Sequence, residues 1–238
     1  MDVAFIVDYT GSMGGEIDAV KTGIASIIST IDTASGANNY RLGLVTADEN
    51  KSGLPTYNTS TDYLALPASQ RIINTGAGGH YQFITAWEMF QDNNNTSFTT
   101  QLNKLNSGAP TAGVPLGQGD DTPEPTDMAL GQVIEASNFL NAFRSNVAKY
   151  CIIMTDAPAG GDDDVFNAVD YARIGSLTTT ALNNGIKVFV LGAGVNATYV
   201  SGGTTVYPWR EIATNTGGNW NQSETPTVIQ NEIIAGCS

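Results

Sequence analysis

Hydrophobic positions alternate along this chain between two periods, one of strands and one of helices. The run Val3-Ala-Phe-Ile-Val7 is continuous and apolar and stops at Asp8 and a Gly/Ser turn. A strand covered on both faces reads this way. From Glu16 the apolar residues fall at Ile17, Val20, Ile24, Ile27, Ile28 and Ile31. Steps of three and four describe one stripe of an amphipathic helix, which the pattern ends near Ser35-Gly36. A second strand is expected over Tyr40–Thr46. Strand, helix, strand is the unit that builds a parallel sheet.

The unit recurs. Pro125 to about Asn146 carries a helical stripe through Met128, Leu130, Val133, Ile134, Leu140 and Phe143, followed by a strand from Tyr150 to Thr155. A helix over Val165 to about Asn184, with Gly185 as its stop, leads to a strand over Lys187–Leu191. A short helix (208–216), an edge strand (218–221) and a closing helix (227–235) complete the order. The fold class is therefore α/β: a doubly wound, mostly parallel central sheet flanked by helices, Rossmann-like in plan. The whole chain, 1–238, is read as a single domain with a partly ordered insertion at about 50–118. Within that insertion Tyr63–Leu66 and Arg71–Ile73 suggest a hairpin or short edge strands, while Ile84–Phe90 and Phe98–Leu105 look helical.

Composition narrows the function. The chain has 238 residues, of which 41% are hydrophobic and only 14% charged. An average domain carries about 25% charged residues, so Gly, Thr, Asn and Ser cover this surface instead. Lys and Arg number 10 against 23 Asp and Glu, a net charge of −13. That field repels nucleic acid and anionic lipid and attracts divalent cations. No apolar stretch reaches the ~18 residues that span a bilayer, and no signal peptide is visible, so no direct membrane insertion is expected. Cys151 sits in a strand and reads as a small buried residue, and Cys237 stands near the end, so no disulfide framework is implied. Neither the oligomeric state nor the redox state of the two cysteines can be read.

Candidate chemistry lies where the strands end, because open α/β sheets bind ligands beyond the carboxyl ends of their strands. Asp8-Tyr-Thr10-Gly-Ser12 follows the first strand. Gly119-Asp-Asp-Thr122-Pro-Glu124 precedes the second long helix, and Thr155-Asp156-Ala-Pro158 follows a later strand. Carboxylates and hydroxyls without thiolate or imidazole describe a hard-cation site. Taken alone, Asp8-x-Thr10-x-Ser12 would be a helix cap more often than a metal site. Three such segments on one sheet edge reverse that weighting.

Together the three segments resemble the loops of the metal-ion-dependent adhesion site of von Willebrand factor A domains. The resemblance implies Asp8, Thr10 and Ser12 as metal residues from the first loop, Thr122 from the second and Asp156 from the third. It implies Mg²⁺ or Mn²⁺, with Ca²⁺ also admissible, and one open coordination position that an acidic residue of a protein partner fills. Thr10 stands where Ser is commoner in the family, and the gap from Ser12 to Thr122 is longer than usual. Integrin β subunits, which share this fold, hold a second cation with an acidic pair just after the motif; here Gly14-Gly15-Glu16 offers one acid, which puts an adjacent site in doubt.

Other groups weigh less. Asp162-Asp-Asp164 suits a helix start, and Asp120 and Asp121 are weaker candidates than Thr122. His80 reads as a surface residue, and the aromatics Tyr57, Tyr63, Tyr81, Phe83, Trp87 and Phe90 read as a mini-core of the insertion more than as ligand contacts. The chain is expected to be a metal-dependent protein-binding or adhesion module and not an enzyme. The alternative is a structural subunit of a surface filament, virion or matrix. A Mg²⁺-dependent phosphatase-like hydrolase ranks below both, because Thr10 occupies the position where that chemistry needs a second acid. An extracellular, cell-surface or virion-associated location is expected.

Overall fold

The computed structural model describes every residue except 52, 77–78, 108–112, 118, 120–122, 137, 161–164 and 237–238. Its centre is β1 (Asp2–Asp8), buried at all seven positions. Side chains of a strand alternate between faces. Val3, Phe5 and Val7 accordingly enter one hydrophobic core, and Ala4 and Ile6 enter another on the opposite face. The continuous apolar run is thus explained: both faces are covered.

The first core packs against α1 (Gly14–Ser35), which buries the Ile17, Val20, Ile24, Ile27, Ile28 and Ile31 stripe. Gly36 closes this helix at φ +80, a left-handed cap that glycine adopts freely. β2 (Arg41–Asn50) then pairs parallel with β1, from Asp2 opposite Arg41 to Asp8 opposite Ala47. It runs four residues past the expected end, which carries Asp48 and Glu49 into the interior.

The stretch expected to be an insertion contributes to the sheet itself. α2 (Thr61–Leu64) is a short helix where a strand was expected. β3 (Arg71–Thr75) forms the outer strand, as the pattern suggested, and pairs antiparallel with β4 (Tyr81–Glu88). β4 overturns the helical expectation for 84–90. It lies antiparallel against β2, sending Ile84 and Ala86 to one core and Trp87 to the other. A strand buried on both faces has no polar alternation, so its short apolar run imitates a helix. α3 (Asn95–Lys104) is helical as expected and buries Phe98 and Leu102.

The aromatics join the main cores. Tyr9, Tyr57, Tyr63 and Trp87 form a chain of rings with centroids 5.7, 5.3 and 6.1 Å apart. Phe90 packs on Phe143 in the second core, and half-buried Tyr81 stacks on Phe83. His80, expected at the surface, is buried, with Nδ1 2.6 Å from Glu49 Oε1. The extended β2 puts an acid opposite it, and pairing with that acid is what lets the ring leave water.

α4 (Thr126–Glu135) is shorter than its stripe implied. Ala136 turns extended at φ −95, ψ 102, and Phe139 and Leu140 reach the core from a loop. The Leu140 carbonyl accepts the Phe90 N–H at 3.0 Å. Asn141 and Asn146 take left-handed φ of +64 and +61, which Asn tolerates better than most residues. β5 (Lys149–Met154) pairs parallel with β1 and holds Cys151 buried and free; Cys237 lies outside the described residues. α5 (Ala168–Asn183) begins later than expected, at a capping box between Asn167 and Asp170. β6 (Ile186–Leu191) is followed by a hairpin absent from the sequence reading, β7 (Tyr199–Ser201) and β8 (Thr204–Val206). α6 (Pro208–Asn215), β9 (Trp220–Asn221) and α7 (Pro226–Gly236) end the described chain.

The seven-stranded sheet has the order β3-β4-β2-β1-β5-β6-β9. Its four pairings from β2 through β9 are parallel and the two involving β4 are antiparallel. α1, α3 and α7 cover one face, and α4, α5 and α6 cover the other. The fold is a doubly wound, mostly parallel α/β sheet. No helix among the described residues is long and apolar enough to cross a membrane.

At the opposite end from the candidate loops, Asp2 is buried between two arginines. Arg41 Nε donates to Asp2 Oδ1 at 3.0 Å, and Arg144 Nε donates to the same oxygen at 2.9 Å. Burial alone would raise this carboxyl, but the two guanidiniums outweigh it and hold it below the usual range. A depressed folded pKa means stability that is present above the unfolded value and lost as pH falls through the folded one. Asp2→Asn should therefore cost on the order of 3 kcal/mol at pH 7, because two cations lose a buried partner. Urea unfolding at pH 7 and pH 3 checks this, and the difference between the two proteins should shrink at the lower pH.

Candidate functional site

β1 and β5 end side by side, which sets the first and third loops against each other. The Asp8 carboxylate is fully buried and held by three donors. Thr10 gives its backbone N–H at 3.1 Å and its hydroxyl at 2.7 Å to Oδ1, while Thr155 gives its hydroxyl to Oδ2 at 2.9 Å. Thr10 Oγ1 lies 3.3 Å from the hydroxyl of Ser12, which stands exposed in the turn Gly11–Met13. Asp156 is exposed beside them, and its charge acts on Asp8. Burial, opposed by the Thr10 and Thr155 hydrogen bonds and aided by Asp156, pushes the Asp8 carboxyl up to about 6.

The structure thus brings Asp8, Thr10 and Ser12 together and sets Asp156 within their field. Thr122 lies outside the described residues, as do Asp120, Asp121 and Asp162–Asp164. The ends of the second loop are nonetheless placed. Glu124 N–H bonds to the Pro158 carbonyl at 3.0 Å, and Gly160 N–H bonds to Asp127 Oδ1 at 3.1 Å, stitching this loop to the third.

Two acids that the sequence reading passed over lie beneath the loops. Asp48 is fully buried, and the Tyr57 hydroxyl and the backbone N–H groups of Glu49 and Gly119 face its carboxylate. Glu124 is 3% exposed, and its Oε2 has no hydrogen-bond partner among the described residues. Glycines fit them in. A β-carbon on Gly117 would fall 2.2 Å from the Asp48 carboxylate, and one on Gly119 would meet Thr10 Cβ at 2.6 Å and Glu124 Oε1 at 3.2 Å. Burial, reinforced by Asp8, holds Asp48 well above its usual range. Burial and the charges of Asp8, Asp48, Glu49 and Asp156 push Glu124 up to about 11. Glu124 was legible in the motif that supplied Thr122; Asp48 was hidden because β2 was expected to stop before it.

Every donor at this edge is oxygen, which suits a hard divalent cation. Among the described residues no group of three or more His, Cys, Asp and Glu side chains could hold a metal ion. The described part of the site is instead one carboxylate with two hydroxyls. Its chemistry fits a cation held partly by neutral ligands.

No family profile matches the chain, and no curated protein does. Solved structures do match. An aerotolerance-related membrane protein from Bacteroides fragilis aligns over 100% of this chain and 98% of its own, with a TM-score of 0.54 and 14% identity. The likeness is one of fold. The pilus adhesin SpaC from Lactobacillus rhamnosus GG, in its open conformation, aligns over 100% of this chain with a TM-score of 0.53 and 16% identity. Proximal thread matrix protein 1 from the mussel byssus aligns over 99%, with a TM-score of 0.53 and 12% identity. The chain spans 29% of the adhesin and 46% of the byssus protein.

The raised acids set a pH dependence for the metal-free protein. Asp8 is pushed to about 6, and Asp127, by burial, to about 7. Between the unfolded and folded pKa the folded state binds more protons, so stability falls as pH rises through that window. Melting temperature in EDTA should therefore climb as pH is lowered from 8 to 5. A flat or opposite profile would mean that these carboxyls are not penalised when charged.

Proposed function

We propose that the protein is a binding module that grips an acidic residue of a partner protein through a divalent cation, Mg²⁺ or Mn²⁺. The observation that carries this reading is the meeting of the buried Asp8 carboxylate with the Thr10 and Ser12 hydroxyls at the carboxyl edge of the sheet. In this reading Asp8, Thr10 and Ser12 hold the ion, with Thr122 and Asp156 completing the set as in von Willebrand factor A domains. A cation held partly by neutral hydroxyls keeps residual positive charge, and that charge attracts a carboxylate. Against a chain of net charge −13, such a spot would be where an acidic partner is welcomed rather than repelled.

The likeness to a pilus adhesin supports a surface adhesion role, and the likeness to a thread matrix protein supports a cohesive one. The second reading, a structural subunit of a surface filament or matrix, rests on the latter and on the Asn/Thr/Gly-rich surface. Both place the protein outside the cell or at its surface. An enzymatic role is not proposed. Thr10 cannot supply the second acid of a phosphatase, and His80, the one histidine, is buried against Glu49.

Melting curves test the reading directly. An ion that binds only the folded state stabilises it by about 2.7 kcal/mol at one hundred times its dissociation constant. EDTA-stripped wild type should gain several degrees in millimolar Mg²⁺ or Mn²⁺, and Asp8→Ala should gain none. Equal shifts in both proteins would place any bound ion elsewhere, and no shift in wild type would favour the structural reading.

A further inference from the structure

The third loop is tied to two segments that together hold an arginine. Gly194 N–H bonds to the Thr155 carbonyl at 3.1 Å, and Trp209 Nε1 donates to the Ala157 carbonyl at 3.1 Å. These bonds fall on either side of Asp156, one from the segment after β6 and one from the first turn of α6. Arg210, next to Trp209, is thus built onto the loop that carries Asp156. Its guanidinium is held by four contacts. Arg210 Cζ lies 4.1 Å from the centroid of the Tyr207 ring and 4.1 Å from that of Trp220. Nε donates to the Val195 carbonyl at 2.7 Å, and Nη2 donates to Asn196 Oδ1 at 2.6 Å. Gln222 Nε2 donates to the same Asn196 oxygen at 3.1 Å, which fixes the acceptor in turn. Nη1 has no partner among the described residues and is not one of their buried unpartnered atoms, so it reaches solvent.

Charge sets this arginine apart. Arg41, Arg144 and Arg173 each pair with an acid, and the chain holds 23 acids against 10 bases. Arg210 pairs with no acid among the described residues. Its neighbour Glu211 accepts the Tyr171 hydroxyl at 2.9 Å instead. A cation in the first turn of a helix is also opposed by the helix dipole, which favours acids there. Acids are abundant in this chain, so the missing partner is a matter of placement and not of supply. Two rings and two oxygen acceptors fix the fork and leave its Nη1 side open. That is the preorganised form in which an arginine takes a carboxylate through two N–H groups.

We propose that Arg210 is a second anchor of the partner-binding edge, taking one carboxylate of the partner while the cation takes another. The proposal rests on the cation reading of the preceding subsection and narrows the partner to a protein that presents two acids on one face. The simpler role for Arg210 is a staple that only ties α6 to Val195 and Asn196. A staple acts on folding and is indifferent to how many acids a ligand carries, and this separates the two.

Synthetic Gly/Ser peptides are the probe: one carries a single Glu, and a series carries a second Glu at increasing spacings from the first. Each is titrated into Mn²⁺-loaded protein, and the ratio of two-Glu to one-Glu affinity is read for wild type and for each variant. In wild type the best-spaced second Glu should tighten binding about tenfold, although the net charge of −13 repels added acid. In Arg210→Gln that gain should vanish. In Arg210→Lys, which keeps the charge and loses the planar fork, it should fall to about threefold. No gain in wild type at any spacing, or a gain retained in Arg210→Gln, would overturn the proposal. So would a lowered melting temperature with the full gain intact, which is the signature of a staple. If the Gln variant fails to fold, Arg210→Lys decides, and a full tenfold gain there refutes the idea. Should wild type take up no Mn²⁺, the cation reading fails and this proposal falls with it. Mn²⁺ uptake without any benefit from a second Glu removes this proposal alone.

Discussion

The hydrogen bonds that Thr10 and Thr155 give to the Asp8 carboxylate are the constraint on which this edge of the sheet depends. Asp8 ends the central strand, where both sheet faces are already covered, so its charge has no access to bulk water. A carboxylate in that position must be met by donors or lose its proton reluctantly. The two threonines supply the donors from different loops, and in doing so they fix the distance between those loops. Ser12 and Asp156 take their places beside that join.

Behind the join the protein tolerates an excess of buried acid. Glu124 keeps an unpartnered oxygen, Asp48 is buried beside it, and Glu49 is met by His80. Where the fold needs only stability it treats acids differently. At the other end of β1, Asp2 is flanked by Arg41 and Arg144 and sits below its ordinary range. Two ends of one strand thus differ: guanidiniums hold Asp2 charged at one end, and burial pushes Asp48 and Glu124 toward their neutral forms at the other. Buried acids cost stability, and among the described residues Asp8, Asp48 and Glu124 gather at one edge.

The helices and parallel strands were legible because their burial is one-sided or complete in a regular way. The isoleucine stripe of α1 and the apolar run of β1 allow one reading each. Elements that bury residues irregularly misled. Leu140 and Phe143 keep a helical spacing while reaching the core from a loop, because Asn141 and Asn146 can adopt left-handed backbone. β4 lacked polar alternation and so passed for a helix. At the site, Asp8, Thr10 and Ser12 were readable because they share one turn and need no tertiary knowledge. Asp48 was not, since only the register of β2 brings it to the same edge.

The hydrogen bond from Thr155 to Asp8 joins residues 147 positions apart. Closing so long a stretch of chain comes late, since the entropy of the loop must be spent before the contact returns anything. β1, α1 and β2 can assemble from neighbours in sequence, but the carboxylate at the tip of β1 stays unclamped until β5 has docked beside it. The clamp on Asp8 is therefore a property of the finished fold alone. A chain caught part-way has its hydrophobic layers and not this clamp.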